Sequence, residues 1–327
     1  MGGSAGWRGL WSHAGPASDA VRKLRSIHIP VSTWKLILFS CASILAVAAA
    51  PEAKREVFYA GDITPANCTP TFDNGYLAAY DQDGGVLVYA LDGSLAFQFS
   101  PPRQNASVVN VAVDVDGVAA LAVEGPPGRG GISIVDSKGV QIRWIDTGDY
   151  VPSGLAFAPD HSLWTTGSKP EVFLDTALPE YEILRHYCGD GRELGRYLPR
   201  SSFAQEFPAG SGISPSHVII GLWQLRVAAG RVGVLLAGKD NHLWVETDMS
   251  GGEAGRWRMD GHPSAITADG TVYAATPKGI LALDRRSGQW KPTALHVPDG
   301  ILLGAEGAQL VFHIRGEKRL VWVPAKQ

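Results

Sequence analysis

Hydrophobic and polar residues alternate along most of this chain with the two-residue period of β-strands. From about residue 56 onward, short apolar strands flank tight polar turns such as Asn74-Gly75, Asp116-Gly117 and Asp269-Gly270. Such residue pairs readily supply the positive φ that a tight hairpin turn needs. The pattern therefore predicts a succession of β-hairpins, with almost no helix between residues 55 and 327.

Two kinds of hairpin alternate. The first kind is apolar on both strands and occurs at 69–80, 109–123, 153–167, 223–238, 264–276 and 303–314. The second kind has a more polar glycine turn and occurs at 86–99, 132–145, 183–198, 243–259 and 280–293. Turns of the first kind are mostly about 40 residues apart, which is close to the repeat of a four-stranded propeller blade. The repeat thus predicts six blades.

The last repeat has only three strands of its own, because a lone strand at 319–323 replaces its second hairpin. The early segment 56–63 can supply the missing outer strand, which would leave no open edge between the first and last repeats. We therefore predict an all-β fold, a six-bladed β-propeller of four-stranded blades whose ring is closed by N- and C-terminal strands in one blade. A β-sandwich with regularly spaced strands is the alternative.

Three segments share a proline, a small residue, an apolar strand and a turn of the D-G type: VPSGLAFAPDHSLWTTG (151–167), HPSAITADGTVYAAT (262–276) and VPDGILLGAEGAQLVF (297–312). This pattern resembles the NHL-type and TolB-like six-bladed β-propellers, including lactonase-like and lyase-like members, over roughly residues 56–325. The resemblance implies a ligand site or active site at the mouth of the central channel. It would lie on the loops that join the outer strand of one blade to the inner strand of the next.

Four such inter-blade loops are candidates for a site. They contain the polar or aromatic residues Arg103, Asn105, Asp149, Tyr150, His262, His296 and Asp299. Histidines and aspartates that converge there would suit a divalent metal, the one cofactor the loops suggest, or acid–base chemistry. The alternative is ordinary turn chemistry. No nucleophile elbow, phosphate-binding loop or dinucleotide fingerprint is present, so no catalytic residue is assigned.

One gap between repeats is about 70 residues long and contains an insertion at 200–220. Long loops in compact folds are commonly functional. Phe203, Glu206, Phe207 and His217 could cover one end of the channel. The alternative is a solvated loop with an added edge strand at 216–220.

The N-terminal region predicts export. Residues 36–50 carry no charge, follow several basic residues and end in Ala48–Ala50, as in a signal peptide. Residues 35–50 are therefore a signal peptide or an uncleaved membrane anchor. Residues 1–34 form a poorly structured extension, which a true start further downstream would explain. The propeller would occupy residues 51–327 and be periplasmic or secreted, or be held outside the cytoplasm by an inner-membrane anchor.

The net charge bears on the class of partner, and the cysteines bear on whether a disulfide forms. The chain has 29 Lys plus Arg and 32 Asp plus Glu, a net charge of −3, which argues against nucleic acid. Cys41 falls in the predicted signal, so Cys68 and Cys188 either pair in an oxidising compartment or remain free thiols.

These observations predict an exported binding or scaffold protein of the cell envelope, with a small molecule or an envelope protein held at the channel mouth. Contact with a membrane would occur only through residues 35–50. The alternative is a metal-dependent, lactonase-like hydrolase or lyase that uses His262, His296, Asp149 and Asp299.

Overall fold

The computed structural model describes residues 55–59, 70–80, 85–100, 107–124, 130–169, 180–207, 224–238, 241–259 and 264–326. All of them belong to one compact unit, Ala53–Gln327. They form β-strands and one 3-10 helix, Arg200–Phe203. No helix within these ranges has the length and apolar character needed to cross a membrane. The predicted N-terminal extension and signal segment lie outside the described residues.

The first three blades follow β1 (Arg55–Phe58) along the chain, and each is a four-stranded antiparallel sheet. Blade 1 contains β2 (Thr71–Asp73), β3 (Tyr76–Tyr80), β4 (Val86–Tyr89) and β5 (Leu95–Phe99). Blade 2 contains β6 (Ser107–Val113), β7 (Ala119–Glu124), β8 (Gly130–Val135) and β9 (Gln141–Asp146). Blade 3 contains β10 (Val151–Phe157), β11 (Leu163–Ser168), β12 (Glu182–Tyr187) and β13 (Glu193–Pro199).

The last three blades repeat this order. Blade 4 contains β14 (Leu225–Ala228), β15 (Arg231–Ala237), β16 (His242–Asp248) and β17 (Glu253–Met259). Blade 5 contains β18 (Ser264–Ile266), β19 (Val272–Thr276), β20 (Gly279–Asp284) and β21 (Gln289–Pro292). Blade 6 contains β22 (Gly300–Glu306), β23 (Gln309–Ile314), β24 (Arg319–Pro324) and, as its fourth strand, β1.

The ring closes as the strand count predicts. β1 pairs antiparallel with β24, with Arg55 opposite Trp322 and Phe58 opposite Arg319. The first strands of successive blades contact one another all the way round, β22 and β2 included, so they form the inner wall of the ring. The predicted six-bladed propeller is confirmed.

Local turn chemistry explains why each blade folds as two hairpins. In the first hairpin of blade 1, Asn74 and Gly75 have φ of 47° and 82°, and the Asn74 side chain donates to the carbonyl of Val113 in blade 2 at 2.8 Å. In the second hairpins, an aspartate side chain accepts a hydrogen bond from the backbone N–H two residues later. This bond recurs at Asp92, Asp136, Asp190 and Asp248. Such bonds hold the turn locally.

Tryptophans pack in the space between blades. Trp164, Trp244 and Trp322 are fully buried. The ring of Trp244 lies on Gly233, where an added Cβ would come within 2.1 Å of it. Glycine is required there because the backbone and the indole approach so closely.

The insertion begins as packed structure. Phe203 and Phe207 are fully buried in the apolar cluster that blades 3 and 4 share, and Glu206 binds Arg256 of β17 at 3.2 Å. This differs from the expected channel cover, while His217 and the segment 216–220 lie outside the described residues. Cys188 forms no disulfide with another described residue, and Cys68 lies outside the described residues, so their pairing stays a prediction.

Candidate functional site

The predicted site residues fall into three groups. Arg103, Asn105 and His262 lie outside the described residues. His296 and Asp299 are exposed on the loop between blades 5 and 6, where Asp299 has a φ of 55°, as the turn-chemistry alternative requires. Asp149 and Tyr150 lie on the loop between blades 2 and 3. Because these two loops are three blades apart in a ring of six, the structure does not bring the two pairs together.

A pocket opens beside the second of these loops, in the groove between blades 2 and 3. Its volume is about 390 Å³, and it is lined by Ile145, Asp146, Thr147, Gly148, Asp149, Arg185, Tyr187, Gly191, Glu193 and Arg196. This volume lies in the range of small-molecule sites. The blade 3 wall is formed by β12 and β13, the third and fourth strands from the inner wall. The pocket therefore lies on the outer part of the ring.

Strand alternation determines which side chains of blade 3 face the groove. Arg185 and Tyr187 are two residues apart on β12 and share one face, while His186 points to the other. In the register of β12 with β13, Arg185 is opposite Arg196 and Tyr187 is opposite Glu193. The pocket wall thus carries two guanidinium groups, one carboxylate and one phenol.

Tyr150 holds Arg185 in place. The guanidinium carbon of Arg185 lies 3.9 Å from the centre of the Tyr150 ring, a stacked cation–π arrangement. The Tyr150 hydroxyl lies 3.1 Å from the carbonyl oxygen of Thr165 and 2.9 Å from that of Ile183, and burial raises its pKa well above the usual value. The phenol stays protonated and donates to the backbone, so Tyr150 positions Arg185 and does not itself face the pocket.

A buried hydrogen-bond donor of the pocket has no acceptor among the described residues. Arg185 and Tyr187 are each 3% exposed, and the Arg185 Nε makes no hydrogen bond to the described residues. The Arg185 guanidinium interacts with the Tyr187 hydroxyl and lowers its pKa, against the larger effect of burial. The Arg185 Nη1 is 3.5 Å from Glu193 Oε2. Burial raises the pKa of Tyr187, so its hydroxyl keeps the proton. Buried donors are nearly always paired in native proteins, so this pocket is the candidate binding site of the described residues.

Acidic groups lie at the rim and are partly neutralised. Asp149 pairs with Lys169 at 2.7 Å, and this contact lowers the pKa of Asp149. Asp146 accepts the backbone N–H of Gly148 at 3.0 Å. In the wall, Glu193 binds Arg196 at 2.5 Å.

A separate group of metal-ligand type lies at the other end of the inner strands. It consists of Asp114, Asp116 and His161, and it is the one such trio within the described ranges. His161 Nδ1 is 2.6 Å from Asp114 Oδ2, and the other Asp114 oxygen accepts the N–H of Val115. These contacts are those of an ion pair that joins two turns. Asp149, His296 and Asp299 form no such trio, so nothing in the described residues supports the hydrolase alternative.

Sequence reasoning missed the blade 3 wall of the pocket. The signal was available in the repeat, because the third strands of blades 1 to 4 all carry a bulge near their ends. Aligned on that bulge, the position of Arg185 holds Leu87, Ser133 and Val245 in blades 1, 2 and 4. Among these four blades, only blade 3 has a charged residue at this position.

No family model and no curated protein sequence matches the chain. Among solved structures, it is similar to the Dos1 propeller at 11% identity and a TM-score of 0.44, covering 80% of this chain and 79% of that one. A protein of unknown function from Bacteroides caccae shares 12% identity at a TM-score of 0.48, covering 73% and 82%. The Cps50 (Swd1) β-propeller domain of Myceliophteria thermophila shares 13% at 0.45, covering 83% and 99%. The assignment to six-bladed propellers rests on the sheet order itself.

Proposed function

We propose that this protein is an exported binding or scaffold protein of the cell envelope, and that its ligand occupies the pocket between blades 2 and 3. Propellers typically serve as binding or scaffold modules. The observation that carries the proposal is the buried Arg185 Nε, which has no acceptor among the described residues and lies beside the Tyr187 hydroxyl at the wall of one cavity. A buried donor without an acceptor destabilises the protein, and a ligand that supplies the acceptor removes this cost and so gains affinity.

The chemistry of the wall is that of binding. Arg185 is held by Tyr150, and Arg196 is paired with Glu193. A guanidinium stays protonated in proteins, so neither arginine can act as an acid or a base at neutral pH. The two guanidinium groups are therefore proposed to hold an acceptor group of the ligand.

The test is a thermal-shift titration of the wild-type protein and of Tyr187→Phe with small carboxylates, phosphates and neutral sugars. A ligand that binds only the native state raises Tm in a concentration-dependent manner. We expect at least one of these classes to raise Tm of the wild type and to have little effect on Tyr187→Phe. If none of the three stabilises the wild type, the pocket is not a ligand site of this kind.

Export is tested separately, because it rests on the uncharged run at 36–50. Expression of the full chain with a C-terminal tag, cell fractionation and N-terminal sequencing of the product would measure it. We expect the product in the envelope fraction, with its N-terminus close to Pro51 if the segment is cleaved. A cytoplasmic product would reject export and leave the pocket untouched.

A further inference from the structure

The chain itself shows what can occupy a groove of this kind. Blades 3 and 4 carry related outer strands, ELGRY at 193–197 and EAGRW at 253–257. In both, the glutamate binds the arginine three residues later, at 2.5 Å in blade 3 and 2.7 Å in blade 4. Arg196 and Arg256 hold equivalent positions, opposite Arg185 and Val245. Each therefore faces the groove before its own blade.

The groove before blade 4 is filled by the beginning of the insertion, residues 200–207. Arg256 donates to the carbonyl oxygen of Ser202 at 2.9 Å, binds Glu206 at 3.2 Å and lies 4.5 Å from the ring centre of Phe203. A backbone carbonyl, a carboxylate and an aromatic ring thus meet one guanidinium. This segment belongs to the loop that joins blade 3 to blade 4.

Among the described residues, no loop segment fills the groove before blade 3 in this way. The corresponding loop is short, running from the end of β9 at Asp146 to the start of β10 at Val151. Within the described ranges, Arg196 binds Glu193 alone. The pocket occupies the position in this groove that residues 200–207 occupy in the groove before blade 4. The wall adds Arg185 and Tyr187 to Arg196, so it offers more donors than the filled groove does.

The two arginines offer a place for an acidic group. Two arginines and one glutamate leave the blade 3 wall with one excess positive charge, while at the rim Lys169 neutralises Asp149, and Asp146 adds one negative charge. A carboxylate placed at the wall would pair with the guanidinium groups, as Glu206 pairs with Arg256 in the other groove. Bonds between guanidinium and carboxylate are among the strong ones that proteins make.

We infer that the pocket between blades 2 and 3 binds a peptide segment through an acidic side chain, in the manner in which residues 200–207 bind Arg256. This rests on the proposed function and names its ligand class. The partner is therefore a protein that presents a glutamate or aspartate on an extended or turned segment, rather than a free metabolite.

The test uses the chain's own segment as the probe. A fluorescent peptide of sequence RSSFAQEF, residues 200–207, is titrated against the wild-type protein by fluorescence anisotropy, beside the same peptide with glutamine in place of glutamate. We expect saturable binding of the first peptide and at least roughly tenfold weaker binding of the second, since a hydrogen bond to a charged group is worth that much or more.

Matched variants locate the binding on the protein. Arg185→Lys removes the Nε donor and keeps the charge, and Tyr187→Phe removes only a hydroxyl; each is expected to weaken binding roughly tenfold. Tyr197→Phe is the control, because Tyr197 lies on the opposite face of blade 3 and packs against the apolar cluster shared with blade 4. It should leave the affinity unchanged.

Three results would overturn the inference: no saturable binding of the glutamate peptide, equal binding of both peptides, or unchanged affinity in Arg185→Lys and Tyr187→Phe. The proposed function can survive that failure. If the peptide fails while a small carboxylate still raises Tm of the wild type but not of Tyr187→Phe, the site binds free metabolites. If both probes fail, both proposals fail.

Discussion

Arg185 in blade 3 and Glu246 in blade 4 are both buried charges on the third strand of their blade, yet their surroundings differ. Glu246 is fully buried and accepts hydrogen bonds from the Trp244 indole at 3.0 Å and from two Arg285 nitrogens at 2.8 Å each. Arg185 has one ring beneath it, one carboxylate at 3.5 Å and a cavity beside it. The described residues satisfy the hydrogen-bonding groups of Glu246, but they leave the Nε of Arg185 without an acceptor.

The comparison indicates how to separate structural charges from functional ones in this fold. A buried charge is tolerated when good geometry offsets its desolvation. At Glu246 the fold supplies every partner, so the group is explained by the packing of blades 4 and 5. At Arg185 the described residues supply support but no acceptor for the Nε, and this difference is the basis of the proposed ligand site.

The largest expected effect is on the Glu246 side of this comparison. Glu246→Gln removes the charge that Arg285 faces and should lower the free energy of unfolding by about 3 kcal/mol, as expected when one partner of a buried pair is lost. Urea denaturation measures it. Glu253→Gln in the same blade is the control, because Glu253 lies on the exposed outer strand and its pair should be worth about 1 kcal/mol or less. Equal losses would show that burial does not distinguish the two glutamates.

Two tyrosines beside the pocket give a smaller and sharper contrast. Tyr150→Phe leaves two backbone carbonyls without their phenol donor and should cost about 1.5 kcal/mol, while the ring that supports Arg185 remains. Tyr187→Phe removes a hydroxyl that has no backbone partner among the described residues and should change stability by less than about 0.5 kcal/mol. Both are measured by urea denaturation of the ligand-free protein.

In a binding assay the same two variants should rank in the opposite order, with Tyr187→Phe affected more strongly than Tyr150→Phe. Tyr150→Phe is expected to retain affinity for the acidic peptide, and Tyr187→Phe is expected to lose it. A Tyr187→Phe protein that is strongly destabilised would mean that its hydroxyl has a structural partner, and the distinction between the two tyrosines would then fail.

The fold could be predicted from the sequence because local patterns that repeat along the chain determine it. Period-two alternation and turn pairs such as Asn74-Gly75 define the hairpins, and counting strands showed that the last blade lacked one. The partner of that last strand, β1, followed from the count alone. Each of these signals needs only neighbouring residues or a simple period.

The site could be predicted only in part, because it depends on which blades become neighbours and which grooves stay open. The sequence predicts Asp149 and Tyr150, on the loop between blades 2 and 3, as site residues. In the structure Tyr150 supports Arg185, a residue that the sequence analysis does not predict. Arg185 lies inside a strand, where alternation alone indicates packing. The sequence predicts Phe203 and Phe207 at the channel, whereas they fill the groove between blades 3 and 4. No local sequence pattern indicates which grooves between blades need filling.

The smallest expected effect separates two histidines of blade 3. Asp114 beside His161 raises the pKa of that imidazole, and burial against Trp164, whose ring centre is 4.0 Å away, lowers the pKa of His186. His161 therefore stabilises the fold most fully below its unfolded pKa of about 6.5 and loses that contribution as the pH rises through its raised value. His186 does the reverse, and its contribution is lost as the pH falls below about 6.5.

An NMR titration of the imidazole resonances measures both histidines in one experiment. We expect the midpoint of His161 to lie above that of a free histidine and the midpoint of His186 to lie below it. Asp114→Asn should lower the His161 midpoint toward the ordinary value, with Asp116 and Asp160 still raising it, and should leave His186 unchanged because burial is the largest cause of its shift. If Asp114→Asn has no effect on His161, the contact at 2.6 Å is not the cause of the shift, and the trio with Asp116 cannot be treated as an ion pair between turns.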